Sequence, residues 1–238
     1  DLLFGIVSYP VGKRRLYDKV RALPRKTLKA GATEVEYVLK EGTGTPILVI
    51  HGSAGGFDQA LALATRFLPE DRPVLAISRF GYLGSGMPDS SGPGNQAAVF
   101  AETLSVLGIA KVVLLGFSVG SAVALSFARL YPEKTESIVL IGAGAPPSKG
   151  IDITEDQFAF LGSDFLGWVS HRYLEGQILT RLGIRVDKFK EAGTGEKESI
   201  RSVLDTFIPV GLRRKGTRND RIVTGRDMWR HRESYPLE

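Results

Sequence analysis

The stretch KVVLLGFSVGSAVALSFARLY, Lys111 to Tyr131, decides how this chain is read. Its first part, Lys111 to Gly116, is a continuous apolar run of the kind expected in a strand buried on both faces of a parallel sheet. Its last part, Val119 to Tyr131, is apolar nearly all round, which suits a helix packed inside a fold. Between them stands Gly116-Phe-Ser118-Val-Gly120, a Gly-x-Ser-x-Gly on a strand-to-helix turn. A serine on so tight a turn projects its oxygen above the sheet, and glycines two residues to either side leave it uncrowded. The helix that starts there also aims its first amides at developing negative charge. Ser118 is therefore the candidate nucleophile.

Outward from this stretch the alternation of strand and helix repeats. Thr45 to His51 (TPILVIH) is a second buried run, and Phe57, Ala60, Leu61, Ala64 and Phe67 after it fall at helical spacing. Thr33 to Leu39 reads as a strand with Val35, Tyr37 and Leu39 on one face; Pro73 to Ser78 and Glu136 to Gly142 are further strands, and Gln96 to Leu107 a helix. The alternation predicts an α/β fold with a mostly parallel, doubly wound sheet. After Gly150 the rhythm changes. Thr154 with Gln157 makes a capping-box pattern, followed by an aromatic-rich helical stretch at Phe158, Leu161, Phe165, Trp168 and Val169. Gly193-Thr-Gly195 reads as a loop, and Ile200, Val203, Leu204 and Phe207 mark another helix. With no strand pattern in 151–233, that region reads as a helical insertion over one end of the sheet.

The second chemical element is the loop His51-Gly52-Ser53-Ala54-Gly55-Gly56, at the end of TPILVIH. Its glycines let backbone approach a ligand. An amide from this loop and the amide of Val119 together suit an oxyanion, each such donor being worth about 3 kcal/mol of barrier. A flexible strand-to-helix connection and a phosphate cradle are the other readings. The cradle lacks its parts, since neither G-x-x-x-x-G-K-[ST] nor a G-x-G-x-x-G opening a helix occurs here.

Composition narrows the chemistry further. The 238 residues are 43% hydrophobic and 24% charged, the profile of a globular protein of one large domain. The absence of cysteine excludes disulfide scaffolds, thiolate metal sites and a cysteine nucleophile. Three histidines, His51, His171 and His231, make a histidine-rich metal centre an unfavourable reading, and no metal or organic cofactor is implied. The net charge of +5 is unevenly placed: residues 1–30 and 213–232 each carry eight Lys/Arg against two Asp, a net +6 apiece, so the remainder sums to −7. A nucleic-acid binder sets its basic residues among exposed aromatics on the functional core, and this core is acidic, so no nucleic-acid partner is expected.

The opening DLLFGIVSY is apolar and leads into Pro10 and the basic cluster Lys13-Arg14-Arg15. It is shorter than the roughly 20 residues a spanning helix requires. Two readings stand: a short arm packed on the domain, or the end of a membrane anchor with its positive inner flank. On the second, Lys13, Arg14, Arg15 and Lys19 sit at an anionic surface, each contributing about 1 kcal/mol. The expected location is cytoplasmic or membrane-associated.

From about residue 33 to 147 the chain resembles the α/β-hydrolase fold superfamily, in its serine-nucleophile branch. The matching pieces are ILVIHGSAGGFDQ, the loop SRFGYLGSG from Ser78 to Gly86, the elbow GFSVG, and ARLYPEKTESIVLIG, in the family's order. The resemblance implies that Ser53 and Val119 supply the oxyanion-hole N–H groups. It also implies that the stretch after Gly150 is a cap roofing the substrate pocket, where Phe158, Phe165 and Trp168 are the candidate lining residues. Ser78 stands where the family usually has Asp, a position that is structural in most members. The expected organisation is a basic arm at 1–30, an α/β-hydrolase core at 31–150, a helical cap region at 151–233, and at 234–238 the start of further core.

Family members complete the triad with an acid after a seventh strand and a histidine after an eighth, and neither strand is legible here. The chain therefore reads as ending, at Ser234-Tyr-Pro-Leu-Glu238, before the acid and base. Asp227 with His231, or Asp152 with His171, have the order a triad requires, but neither pair follows a buried strand, so solvated helix faces are the preferred reading. His51 precedes the serine and is expected to be structural. The resemblance thus implies a serine hydrolase acting on a small carboxylic ester or related acyl compound through an acyl-enzyme at Ser118. The alternative is a non-catalytic protein of the same fold that binds a ligand or partner.

Overall fold

The computed structural model describes residues 2–144 and 162–224. The chain divides into two compact units: Pro24–Ile151 with Arg213–Glu238, and Asp1–Leu23 with Asp152–Leu212. The boundaries fall inside two of the stretches marked out from sequence, at Leu23/Pro24 within the basic arm and at Leu212/Arg213 within the helical region.

The first unit holds the sheet. Its strands are β1 (Lys26–Ala30), β2 (Thr33–Lys40), β3 (Ile47–Ile50), β4 (Val74–Ile77), β5 (Val112–Phe117) and β6 (Thr135–Ile141), in the order β1-β2-β4-β3-β5-β6. The run β4-β3-β5-β6 is parallel, and β1 and β2 join it antiparallel at one side. β1 is charged and gives no apolar pattern; it exists because Gly31, at φ +57°, turns the chain so that Ala30 opposes Thr33 in a tight hairpin. In β2, Val35 and Tyr37 are buried as expected, but Leu39 is 37% exposed.

Buried β3 is flanked by β4 and β5, so all four of its residues are buried, which is why TPILVIH lacks alternation. One side of the sheet packs Leu48, Ile50, Leu75, Ile77 and Leu114 against Phe100 and Leu104 of α3 (Pro93–Val106) and Val123 and Phe127 of α4 (Gly120–Leu130). Alternate residues such as Val49 and Ala76 face the other side, where α2 (Phe57–Phe67) lies on β3 and β4. β6 pairs with β5 alone among the described residues, and Ile138 and Val139 remain 37% and 46% exposed.

The second unit is helical among its described residues. α1 (Leu2–Ala22) runs through Pro10, so the basic segment read as an arm is the second half of one continuous helix. α5 (Asp164–Tyr173) packs on α1: Tyr9 meets Phe165 and Trp168 edge to face, with ring centroids 5.1 and 5.8 Å apart. Asp164 accepts from the Tyr17 hydroxyl at 2.8 Å and from the Gly211 N–H at 2.6 Å, and pairs with Lys13 at 3.2 Å. Burial pushes the Asp164 carboxyl up, but these three donors outweigh it and hold it below its usual value. α6 (Glu175–Arg181), α7 (Val186–Glu191) and α8 (Thr194–Asp205) close a small core around Leu179, Phe189 and Leu204. α8 begins at Thr194 with Gly193 as its cap, so Gly195 is helical rather than part of a loop. The capping pattern at Thr154 and Gln157 lies outside the described residues.

Candidate active site

Ser118 occupies the turn between β5 and α4 with φ +50°, a left-handed conformation that costs a non-glycine residue about 1–2 kcal/mol. Its N–H donates to the carbonyl of Ile141, the last residue of β6, at 3.0 Å. The turn is held by contacts only glycine permits. A Cβ at Gly116 would lie 2.9 Å from the Ala124 Cβ and the Ser121 Cα, and one at Gly120 would meet the carbonyl oxygen of Ile50. Ser118 is half-buried, and its hydroxyl has no hydrogen-bond partner among the described residues.

The loop from His51 to Gly56 lies directly beside it, since a Cβ at Gly52 would stand 3.2 Å from the Ser118 Cβ. This loop is tied down almost residue by residue. The Gly52 N–H donates to Gln59 Oε1 at 2.9 Å, the Ala54 N–H to the Tyr82 hydroxyl at 3.3 Å, and the Phe57 N–H, at the start of α2, to Ser78 Oγ at 3.0 Å. Ala54 itself is left-handed at φ +56°. The N–H groups of Ser53 and Val119, the two expected oxyanion donors, have no partner among the described residues.

His51 is fully buried with both ring nitrogens engaged. Nε2 lies 2.9 Å from the Arg79 N–H, which can only donate, and Nδ1 lies 2.7 Å from the Gly52 carbonyl, which can only accept. The proton is therefore on Nδ1. Burial, followed by the charge of Arg79, holds the His51 pKa well below its usual value despite the Gly52 carbonyl. A neutral ring bonded at both ends braces the loop and has no free lone pair to accept a serine proton.

Two arginine–aspartate pairs, both buried, lie behind the loop. Arg79 donates to both oxygens of Asp220 at 2.6 Å, and its Nη2 also reaches the Gly52 carbonyl at 3.1 Å. Arg213 donates to both oxygens of Asp58, at 3.0 and 2.6 Å, and to the Gly55 carbonyl at 2.6 Å. The Tyr82 hydroxyl donates to Asp220 at 2.5 Å, and burial followed by that carboxylate pushes its pKa upward. Arg213 precedes α9 (Arg214–Asn219), and Asp220 opens the π-helical turn Asp220–Thr224 that follows it. None of these five residues was singled out from sequence. The one available signal was the setting of Arg79 and Tyr82 within SRFGYLGSG, a loop already aligned with the elbow.

Phe165 and Trp168 sit on α5, where they pack against Tyr9 within the helical unit. Phe158, Asp152, Asp227 and His231 lie outside the described residues. His171 meets Asp205 at 2.9 Å, and Asp205 is also paired with Lys19 at 3.2 Å. The His171 hydrogen bond, ahead of the upward push of burial, holds the Asp205 pKa below its usual value. No group of His, Asp and Glu among the described residues is arranged to hold a metal ion. No helix among them is long and apolar enough to cross a membrane.

A model of the alpha/beta hydrolase fold matches residues 45–202. Pyrrolizixenacetamide deacetylase of Xenorhabdus hominickii is 32% identical over 120 residues, covering 49% of this chain and 44% of that protein. A 2-hydroxy-6-oxononadienedioate/2-hydroxy-6-oxononatrienedioate hydrolase of Comamonas testosteroni is 30% identical over 152 residues, covering 58% of this chain and 53% of that protein. The chain thus spans about half the length of the curated relatives it matches. An alpha/beta hydrolase fold protein from Nakamurella multipartita superposes with a TM-score of 0.67 at 22% identity, over 85% of this chain and 75% of that one.

Proposed function

Since this chain belongs to the alpha/beta hydrolase fold family, we propose that it acts as a serine hydrolase on a small carboxylic ester or related acyl substrate, with Ser118 as nucleophile. In the proposed reaction Ser118 Oγ bonds to the acyl carbon while its proton passes to a general base. The resulting oxyanion is held by the N–H groups of Ser53 and Val119. The carbonyl re-forms as the bond to the leaving group breaks, and that group takes up the proton. Water then attacks the acyl-enzyme, releasing the acid and restoring Ser118.

The observation that carries this reading is the conformation of Ser118. A serine kept at φ +50° bears a steric cost, and among the described residues its hydroxyl and the two N–H groups on adjoining turns have no partner, as a nucleophile and its oxyanion donors require. The names of the relatives, a deacetylase and a hydrolase, support a hydrolytic reaction. No metal or cofactor enters the scheme.

The test is covalent labelling. Protein expressed from the intact gene is treated with a fluorophosphonate, and the modified residue is located by peptide mass spectrometry. Modification at Ser118 that disappears in Ser118→Ala supports the reading. No modification in a folded protein overturns it and leaves the alternative, a ligand-binding protein without catalysis.

A further inference from the structure

We propose that Asp220 and Arg213 are positioning residues that fix the loop from His51 to Gly56, and with it the direction of the Ser53 N–H. The proposal rests on the reading of that N–H as an oxyanion donor.

Each pair grips the loop by its backbone. Arg213 divides its guanidinium between the Asp58 carboxylate and the Gly55 carbonyl, and so locks the end of the loop to the first turn of α2. Asp220 works through two intermediaries. It orients Arg79, whose Nη2 holds the Gly52 carbonyl and whose N–H holds the His51 ring. It also accepts from the Tyr82 hydroxyl, which in turn accepts from the Ala54 N–H and lies 3.4 Å from Ser53 Oγ. Ser53 is thus bracketed, with Gly52 held on one side and Ala54 on the other.

Four charged groups of this kind are not the economical way to fill an interior. Arg79 and Arg213 are 0% exposed, and buried ion pairs are often no more stabilising than apolar side chains of similar volume. What a guanidinium–carboxylate fork supplies instead is direction, because its donors are fixed in a plane. Donors for an oxyanion depend on direction, since a displacement of about 1 Å can cost about 100-fold in rate.

The experiment compares Tyr82→Phe and Asp220→Asn with the parent protein and Ser118→Ala, all expressed from the intact gene. Turnover of p-nitrophenyl acetate and thermal stability are both measured. Tyr82→Phe removes only the hydroxyl that supports Ala54 and is expected to lower kcat by about 10- to 100-fold with KM nearly unchanged and Tm little moved. Asp220→Asn, where it folds, is expected to show the same split with a larger loss; where it does not fold, Tyr82→Phe decides. A parent-level kcat in Tyr82→Phe, with only Tm displaced, overturns the positioning role while Ser118→Ala still reports on the serine. Full activity in Ser118→Ala, or none in the parent, overturns both readings.

Discussion

The Ser78 hydroxyl donates to Oε2 of buried Glu36 at 2.9 Å and at the same time accepts the Phe57 N–H that opens α2. Glu36 also accepts from the Gly84 N–H at 3.0 Å and pairs with Arg25 at 3.0 Å. A hydroxyl can donate and accept at once, which a carboxylate cannot. Ser78→Asp would therefore place two carboxylates against one another with Arg25 alone to offset them. The expected loss is about 2–4 kcal/mol of stability. It should be larger at pH 8 than at pH 5, because protonating one carboxyl relieves the repulsion. Urea unfolding at the two pH values checks both size and sign.

Ser118→Gly should separate stability from chemistry. Glycine adopts φ +50° without the steric cost a serine bears there, so the variant is expected to unfold no earlier than the parent, with a gain of up to about 1 kcal/mol. Fluorophosphonate labelling should vanish. Gly120→Ala, whose methyl would meet the Ile50 carbonyl, is expected to lose about 1–3 kcal/mol in the same unfolding assay.

His51 sets a pH dependence of its own. Its folded pKa lies well below that of the unfolded chain, about 6.5, so above pH 6.5 both states are neutral and nothing changes. Below pH 6.5 the unfolded chain takes up a proton that the folded one refuses. Stability then falls as pH drops, by at most about 1.4 kcal/mol per pH unit, until the folded ring itself protonates. Chemical unfolding at pH 7.5, 6.5 and 5.5 should give a shallower slope for His51→Gln than for the parent.

The basic half of α1 is proposed to meet an anionic membrane surface. Lys13, Arg14 and Lys19 are partly neutralised by Asp164, Asp18 and Asp205, which leaves exposed Arg15, with the 87% exposed Arg14 beside it, as the principal contacts. Binding to phosphatidylserine vesicles should fall with added salt, and further in the double variant Arg14→Glu, Arg15→Glu, by roughly fivefold per charge removed. Equal binding to neutral and anionic vesicles would remove the idea.

The strands and helices of the sheet unit were legible because their signals are local. Buried β3 and β5 announce themselves as unbroken apolar runs, and the Ser118 turn by glycines whose spacing sterics dictate. β1 was missed because Lys26-Thr-Leu-Lys-Ala30 is polar and owes its strand to a turn at Gly31. That Leu2–Ala22 forms one helix is not legible, because Pro10, an ordinary helix breaker, is carried inside it. The buried pairs were illegible for another reason. Arg79 finds Asp220 across 141 positions and Arg213 finds Asp58 across 155, and nothing along a sequence distinguishes a charge that will be paired in the interior from one left in water.

Those separations also bear on how the molecule is made. The sheet unit is interrupted by 152–212 and resumes at Arg213, so its two parts leave the ribosome at different times. At about 5–20 residues per second, roughly 8–30 s pass between synthesis of Asp58 and of Arg213. Through that interval Asp58 and Arg79 are on a growing chain without their counter-charges. The β-strands can begin to pair, but the loop from His51 to Gly56 beside Ser118 is not held by these pairs until Arg213 and Asp220 have been made.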